Sequence, residues 1–275
     1  MSESPKKITS KQKHRLFYEA FAPVLLPKGF IYINRNFIRI HPRATILVIG
    51  LELNHWGFAR IKFGAYPFAK WNNPSFSTDP VNELIQGWSY DLYKWIRIAA
   101  LREDPYNEDW ETGWRPEPYE DSFRAWLSKV IDGFEEYILD AFNAVTTPLA
   151  YLSFRRDFLS DNYSLGSLWG PCIQVGKYDE AEDYLFNIYE SEFREIVKTK
   201  AILEAKDWRP DTIDPETFYK NRIRRLELWS ADTLRAFEAV WDRDYAACQA
   251  IVDECIDDNE RRLKLALKDK WDCFS

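Results

Sequence analysis

The chain has 275 residues, of which 46% are hydrophobic and 29% charged, a balance typical of globular rather than disordered proteins. Its formal net charge of −7 argues against a protein that binds the nucleic-acid backbone, because such proteins need a basic face. No stretch approaches the roughly 18 uninterrupted apolar residues of a membrane span, and residues 1–13 are polar and lysine-rich. We therefore expect a cytoplasmic protein without membrane contact or DNA binding, whose residues 1–13 form a disordered tail.

Two features of the composition, the aromatic residues and the cysteines, indicate which kinds of site the protein can contain. Aromatic residues make up 16% of the chain, including 12 Trp, which indicates either bulky core packing or an exposed binding surface. The four cysteines, Cys172, Cys248, Cys255 and Cys273, form no CxxC pair and have no metal-ligand spacing. We expect buried free thiols in a reducing compartment, no metal and no cofactor.

The N-terminal half reads as a helix followed by strands. Thr9 or Ser10 is expected to cap a first helix that runs to about Ala22 and ends at Pro23. Four runs of β-branched and aromatic residues follow, cut by turn residues, at 29–33, 37–40, 46–53 and 58–66. Their alternation of apolar and polar residues predicts a half-buried antiparallel meander whose apolar face is covered by helices.

Residues 88–101 leave the choice between strand and helix open, because a short apolar run does not decide it. We interpret 95–100 as a fifth strand and 102–119 as a loop. A single apolar stripe then predicts a helix over residues 122–145 that lies across the sheet. The stripe consists of Phe123, Leu127, Val130, Phe134, Ile138, Ala141 and Val145.

The remaining chain is predicted to be helical. Helices are expected near 149–159 and 165–173, the second interrupted at Gly170-Pro171, and three more begin near Tyr178, Asp214 and Asp244. The chain is thus predicted to be α+β, with an N-terminal antiparallel meander of four to five strands and an all-α C-terminal part. Thr146-Thr147-Pro148 marks a soft boundary between domains at 14–146 and 147–275, which can also pack as one unit.

An acidic, aromatic segment is the first candidate site. It comprises Glu103, Asp104, Tyr106, Glu108, Asp109, Trp110, Glu111 and Trp114. Aromatics ringed by charge are what a protein interface uses for affinity and steering, so we interpret the segment as a protein-binding surface. A solvated loop and a glycosidase-like carboxylate pair are the alternatives. A calcium loop is excluded because Gly113 comes one residue too early.

Two smaller groups complete the candidates. His55 and Trp56, at a loop tip, and Arg39 and Arg60, on the polar sheet face, are expected at the rim of a possible site. Arg222, Arg224 and Arg225 form the strongest basic cluster, expected on the solvent side of a helix and paired with nearby acids.

Part of the chain resembles a known family. The helix ending in Phe21, the Gly29-Phe30 pair, and the strands containing Arg39 and Glu52 resemble a bacterial family catalogued as a domain of unknown function. The resemblance covers about residues 16–154 and implies an α+β fold without any functional residue. Residues 176–181, Gly-Lys-Tyr-Asp-Glu-Ala, resemble the turn between the helices of a tetratricopeptide repeat.

The sequence contains no phosphate-binding glycine loop, no Gly-x-Ser-x-Gly nucleophile elbow and no His-Glu-x-x-His motif, which are typical of enzymes. We therefore interpret the protein as a non-catalytic cytosolic module that binds another, basic protein, such as an immunity-type neutralising partner. An enzyme of unrecognised class using carboxylates of the 103–121 loop is one alternative. A scaffold or RNA-contacting helical protein is another.

Overall fold

The computed structural model describes seven ranges of the chain, and it describes the backbone alone at residues 90, 157, 158, 225 and 228–232. The ranges are 7–53, 59–69, 90–103, 116, 118–158, 168–206 and 214–274. The chain divides into two compact units. The sheet unit comprises residues 1–66, 77–154 and 260–275, and the helical unit comprises residues 67–76 and 155–259. The domain boundary expected between residues 146 and 147 stays a prediction.

Helix α1 (Ser10–Leu25) begins at the predicted cap. The Thr9 hydroxyl accepts a hydrogen bond from the Gln12 N–H, and the Gln12 side-chain oxygen accepts one from the Thr9 N–H at 2.8 Å. This reciprocal capping box fixes the start of the helix. Residues 10–13 form its first turn, whereas the sequence predicted a disordered tail over 1–13. Pro23 lies inside the helix and does not end it as expected, because its ring fits the helical φ and the helix closes two residues later.

The predicted meander is confirmed. Its five strands, β1 (Ile31–Ile33), β2 (Asn36–His41), β3 (Thr45–Leu53), β4 (Ala59–Pro67) and β5 (Tyr90–Asp91), lie side by side in chain order. Asn34 and Arg35 take positive φ values of 48° and 66°, which makes a two-residue hairpin turn between β1 and β2. The β1–β2, β2–β3 and β4–β5 pairs are antiparallel.

The strand predicted over residues 95–100 is wrong. That segment belongs to helix α2 (Leu92–Glu103), and the fifth strand is the short β5 immediately before it. Leu92, Ile96 and Ala100 are buried at intervals of four residues, so one helical face carries the apolar contacts.

The apolar stripe over residues 122–145 is confirmed as buried, but it belongs to two helices. Helix α3 (Glu120–Tyr137) is followed by helix α4 (Leu139–Asn143), with a non-helical backbone at Ile138 between them. Six of the seven stripe residues are buried and Ala141 is half-buried. The ring of Phe134 lies 6.3 Å from that of Phe21, so α3 packs on α1.

The central strands are buried on both faces, which corrects the expectation of a half-buried sheet. Seven consecutive residues of β3, from Thr45 to Leu51, are buried. On one face, the ring of Phe37 lies 5.6 Å from that of Phe17 in α1. The 3-10 segment Lys268–Phe274, which belongs to the same unit, also contacts β2.

The described secondary-structure elements of the C-terminal part are all helices. Its helices are α5 (Pro148–Phe158), α6 (Trp169–Gln174), α7 (Tyr178–Ala205), α8 (Pro215–Trp241) and α9 (Tyr245–Leu267). The predicted caps are confirmed, since carboxylates of Asp214 and Asp244 accept hydrogen bonds from the N–H groups of Thr217 and Ala247. Gly170-Pro171 lies within the first turn of α6 and does not interrupt it, because that turn needs no N–H from proline.

Two interactions tie the short segment after β4 into the helical unit. The amide of the buried Asn259 donates a hydrogen bond of 2.8 Å to the carbonyl of Phe68. A Cβ atom on Gly170 would lie 2.3 Å from the carbonyl oxygen of Ala69, so only glycine allows this close approach.

Candidate protein-binding surface

Of the site residues predicted from the sequence, the structure describes Glu103, Arg39 and Arg60. Glu103 ends helix α2 and is exposed. The other seven members of the acidic segment, with His55 and Trp56, lie outside the described residues, so their roles stay predictions. Those seven are Asp104, Tyr106, Glu108, Asp109, Trp110, Glu111 and Trp114.

Arg39 and Arg60 were expected on one polar face of the sheet. In the structure they lie on opposite faces. The Arg39 guanidinium donates a hydrogen bond to the side-chain oxygen of Asn143 on α4, and burial lowers its pKa. Arg60 is exposed on β4, and its neighbour Lys62 pairs with Glu52 at 3.7 Å. The side chain of Phe63, which alternates with Lys62, contacts the ring of Phe142 on α4. Arg39 is therefore a structural residue of the covered face.

One member of the basic cluster on α8, Arg222, is paired with an acid of the neighbouring helix. Arg222 pairs with Glu195 on α7, and Lys200 on α7 pairs with Glu227 on α8 at 2.8 Å. These reciprocal pairs cross between two antiparallel helices. The expectation that Arg222 pairs with nearby acids is confirmed, and its partner is Glu195.

An exposed group of aromatic side chains lies on the α7–α8 pair. It consists of Phe186, Tyr189 and Phe193 on α7 and Phe237 and Trp241 on α8, and we call it the aromatic face. The ring of Phe237 lies 6.1 Å from that of Phe186 and 6.0 Å from that of Tyr189. Tyr189 also stacks on Phe193, and Phe237 contacts Trp241 at 5.8 Å. The five rings are thus one contiguous surface rather than isolated residues.

Three members of the aromatic face are open to solvent. Phe186 is 50% exposed, Phe193 51% and Trp241 64%. Burying such rings against a partner stabilises the complex by roughly 25 cal/mol for each Å² of apolar area removed from water. Clustered exposed aromatics of this kind mark interaction sites.

Helix α7 exposes these residues because it carries two apolar stripes. One stripe, which includes Ala181, Leu185 and Ile196, is buried in the helical unit. The second, Phe186, Tyr189, Phe193 and Val197, is offset by one residue and repeats at intervals of three to four. A helix packed on one side needs only one stripe, so the second is surplus to the fold.

Acidic side chains lie at one end of the aromatic face. Glu182 and Asp183 lie one turn before Phe186 on α7, and Glu238 and Asp242 flank Trp241 on α8. Among the described residues, no basic side chain forms an ion pair with any of these four acids. Uncompensated negative charge therefore lies at the end of the face that contains Phe186 and Trp241, where it attracts a basic surface over roughly 8 Å at physiological salt.

The described residues hold no group of three or more metal-ligating side chains. The adjacent Lys220 lowers the pKa of the Glu216 carboxyl. The partly buried His14 and His41 have lowered pKa values, caused first by burial and then by neighbouring arginines. Burial raises the pKa of the Cys172 thiol to about 12, so this thiol is not a nucleophile.

Two pockets lined by described residues are shallow. One, of about 350 Å³, lies where Lys177 and Tyr178 meet Arg243 and Tyr245. The other, of about 230 Å³, lies between α1 and α3 beside the Glu19–Arg124 ion pair. Neither pocket contains a buried polar group that converges on its interior, which a small-molecule site needs.

Comparison with known proteins gives no relative: no family model, no curated protein and no solved structure matches the chain. The resemblance of residues 16–154 to a bacterial family therefore stays a prediction. Among the residues that the structure describes, no helix combines the length and the hydropathy needed to span a membrane.

Proposed function

We propose that the protein is a non-catalytic module that binds a basic protein through the aromatic face. The observation that supports this proposal is the contiguity of five aromatic rings on two packed helices, with four acids without ion-pair partners at one end. Aromatic residues centred within a polar rim are the composition of binding hot spots.

The sequence predicts the same kind of surface at residues 103–114. The aromatic face has the expected chemistry at a different place, in the helical unit. The two surfaces are separate proposals, and variants in each test them independently.

The enzyme alternative receives less support. A cleft with two carboxyls of raised pKa would favour it, and the described residues contain no such pair. An RNA-contacting surface would require a basic stripe. In the helical unit, Arg222, Lys200, Arg235 and Arg243 each pair with a carboxylate, which removes the charge that a phosphate backbone would need.

We further propose a cytoplasmic location and, by analogy with acidic proteins that neutralise toxins, an immunity-type role. Three of the four free cysteines are buried, as thiols of a reducing compartment commonly are. An acidic, aromatic surface suits a partner whose active site is basic.

The test is affinity capture after co-expression with the products of neighbouring genes. The wild type is compared with a Phe186→Asp/Trp241→Asp variant and with Leu149→Asp, which changes a residue of similar exposure in the sheet unit. We expect a stoichiometric partner with the wild type and with Leu149→Asp, and loss of that partner with the double variant. Absence of any stoichiometric partner, or its equal retention by all three proteins, overturns the proposal.

A further inference from the structure

The helical unit contains two turns with the same geometry, 67 residues apart. After α6, the N–H groups of Gly176 and Lys177 donate to the carbonyls of Ile173 and Cys172 at 3.0 and 2.8 Å. After α8, the N–H groups of Arg243 and Asp244 donate to the carbonyls of Val240 and Ala239 at 3.0 and 2.9 Å. Gly176 and Arg243 both have positive φ, 75° and 59°. Each turn is the same Schellman-type helix end.

The correspondence extends into the flanking helices. At the same offset of 67 residues, several buried apolar positions correspond on both sides of the turn, although the buried Leu168 and Pro171 correspond to the exposed Arg235 and Glu238. The matched pairs are Ile173 with Val240, Ala181 with Cys248, Leu185 with Val252, and Ile196 with Leu263. The segments α6–α7 and α8–α9 are therefore two copies of one helix–turn–helix unit, which the sequence analysis missed because only Tyr178 and Tyr245 are identical near the turns.

The two copies differ at the aromatic face. The positions of Phe186, Phe193 and Val197 on α7 are occupied on α9 by Asp253, Glu260 and Lys264. The repeated unit thus tolerates charged residues at these positions. Phe186, Phe193 and Val197 are consequently not required by the helix–turn–helix architecture, whereas Tyr189 corresponds to the buried Ile256.

We propose that α7, in the first copy, together with the end of α8, receives a basic amphipathic helix of the partner protein. This inference rests on the proposed protein-binding function and specifies its ligand. From Phe186 to Val197 the stripe on α7 extends about 16 Å at 1.5 Å per residue, which matches three turns of a helix. Because the face is built from helices, it presents side chains and no free strand edge, so recognition by an added β-strand is not available there.

The negative charge beside the aromatic face favours one kind of incoming helix. Glu182, Asp183, Glu238 and Asp242 favour lysine and arginine on the polar side of the incoming helix. A second copy of this chain would bring the same acids face to face, and like charges across an interface are unfavourable. The occupant is thus a basic helix of another protein.

The test uses defined peptides. An 18-residue peptide of Leu and Lys, arranged with helical periodicity, is titrated by fluorescence anisotropy, alongside a peptide of the same composition in scrambled order. The proteins are the wild type, Leu149→Asp, and a variant that carries the α9 residues, Phe186→Asp/Phe193→Glu. Circular dichroism checks folding, and the single variant Phe193→Glu replaces the double variant if the latter does not fold.

We expect the wild type and Leu149→Asp to bind the periodic peptide at least tenfold tighter than the scrambled one. The α9-matched variant should lose at least tenfold in affinity for the periodic peptide. Equal binding of the two peptides, or wild-type affinity in the variant, overturns the helix as occupant. If affinity capture still recovers a partner that depends on Phe186 and Trp241, the protein-binding function stands and only the identity of the docked element is wrong.

Discussion

The ring of Tyr178 stacks on the ring of Tyr245, with centroids 4.0 Å apart and planes at 22°. Each tyrosine opens the helix that follows one of the two repeated turns. Arg243 reinforces the contact, since its guanidinium lies 3.1 Å from a carboxylate oxygen of Asp179 and also bonds the Tyr245 hydroxyl. The two copies of the helix–turn–helix unit are thus joined at equivalent positions.

This contact predicts a measurable coupling between the two turns. Tyr178→Ala, Tyr245→Ala and the double variant form a cycle in which the free energy of unfolding is measured with urea. We expect a coupling of about 0.5–1.5 kcal/mol, the usual worth of a stacked aromatic pair. Strictly additive losses would contradict the stacking.

Gly170 and Gly176 should respond differently to alanine. A Cβ on Gly170 meets the Ala69 carbonyl at 2.3 Å, whereas a Cβ on Gly176 meets nothing within 4 Å. We expect Gly170→Ala to lower the free energy of unfolding by about 3 kcal/mol through overpacking. Gly176→Ala should cost about 1 kcal/mol, from its positive φ alone. The reverse order in denaturant titrations would show that the close approach is absent.

The Thr45 hydroxyl donates a buried hydrogen bond of 2.6 Å to the carbonyl of Val145. Thr45→Val keeps the shape but removes the donor, and we expect a loss of about 1–2 kcal/mol in the free energy of unfolding. Thr45→Ser is the control, because it keeps the hydroxyl and loses one methyl group. If both variants unfold at the same denaturant concentration, the bond contributes little.

The thiols should differ in reactivity. Cys273 is exposed, while Cys172, Cys248 and Cys255 are buried. We expect one fast-reacting thiol with Ellman's reagent at pH 8 in the native protein and four after unfolding in guanidinium. More than one fast thiol in the native state would contradict the burial.

The raised pKa of the Cys172 thiol predicts how the free energy of unfolding depends on pH. Its pKa is raised from 9.0 to about 12, so between these values the unfolded chain loses the proton before the folded chain does. The free energy of unfolding therefore falls as pH rises above 9. Cys172→Ser removes this titration, and its stability between pH 9 and 11 should fall less steeply than that of the wild type.

The acidic segment predicts a separate effect on binding. Trp110→Ala and Asp109→Lys should weaken partner capture if residues 103–114 form a contact surface, because they remove an aromatic anchor and reverse a charge. Capture at wild-type level by both variants would assign the segment to a solvated loop.

The fold was predictable where local chemistry and burial agree. Asn34-Arg35 marked the hairpin, and the spacing of three to four residues from Phe123 to Phe134 marked α3. The prediction of a strand over residues 95–100 was wrong because it relied on the apolar composition of the run and not on the spacing of its residues. The four-residue spacing of Leu92, Ile96 and Ala100 indicates a helix and was sufficient to find α2.

The aromatic face was not predicted because an apolar stripe does not state which elements pack on it. Trp241 follows Leu234 and Phe237 at helical spacing on α8, yet it is 64% exposed. A second stripe on α7, beginning at Phe186, was the available signal. Two stripes on one helix indicate one surface for the core and another for a partner.

The most direct measurement is the affinity of the captured neighbouring-gene product for the wild type and for Trp241→Asp, by isothermal titration calorimetry. Because Trp241 is 64% exposed, its replacement should leave the melting temperature nearly unchanged. If the aromatic face is the binding site, Kd should rise by about 30-fold or more, as for a hot-spot residue worth at least about 2 kcal/mol. A Kd within twofold of the wild-type value, with the fold intact, would contradict the account.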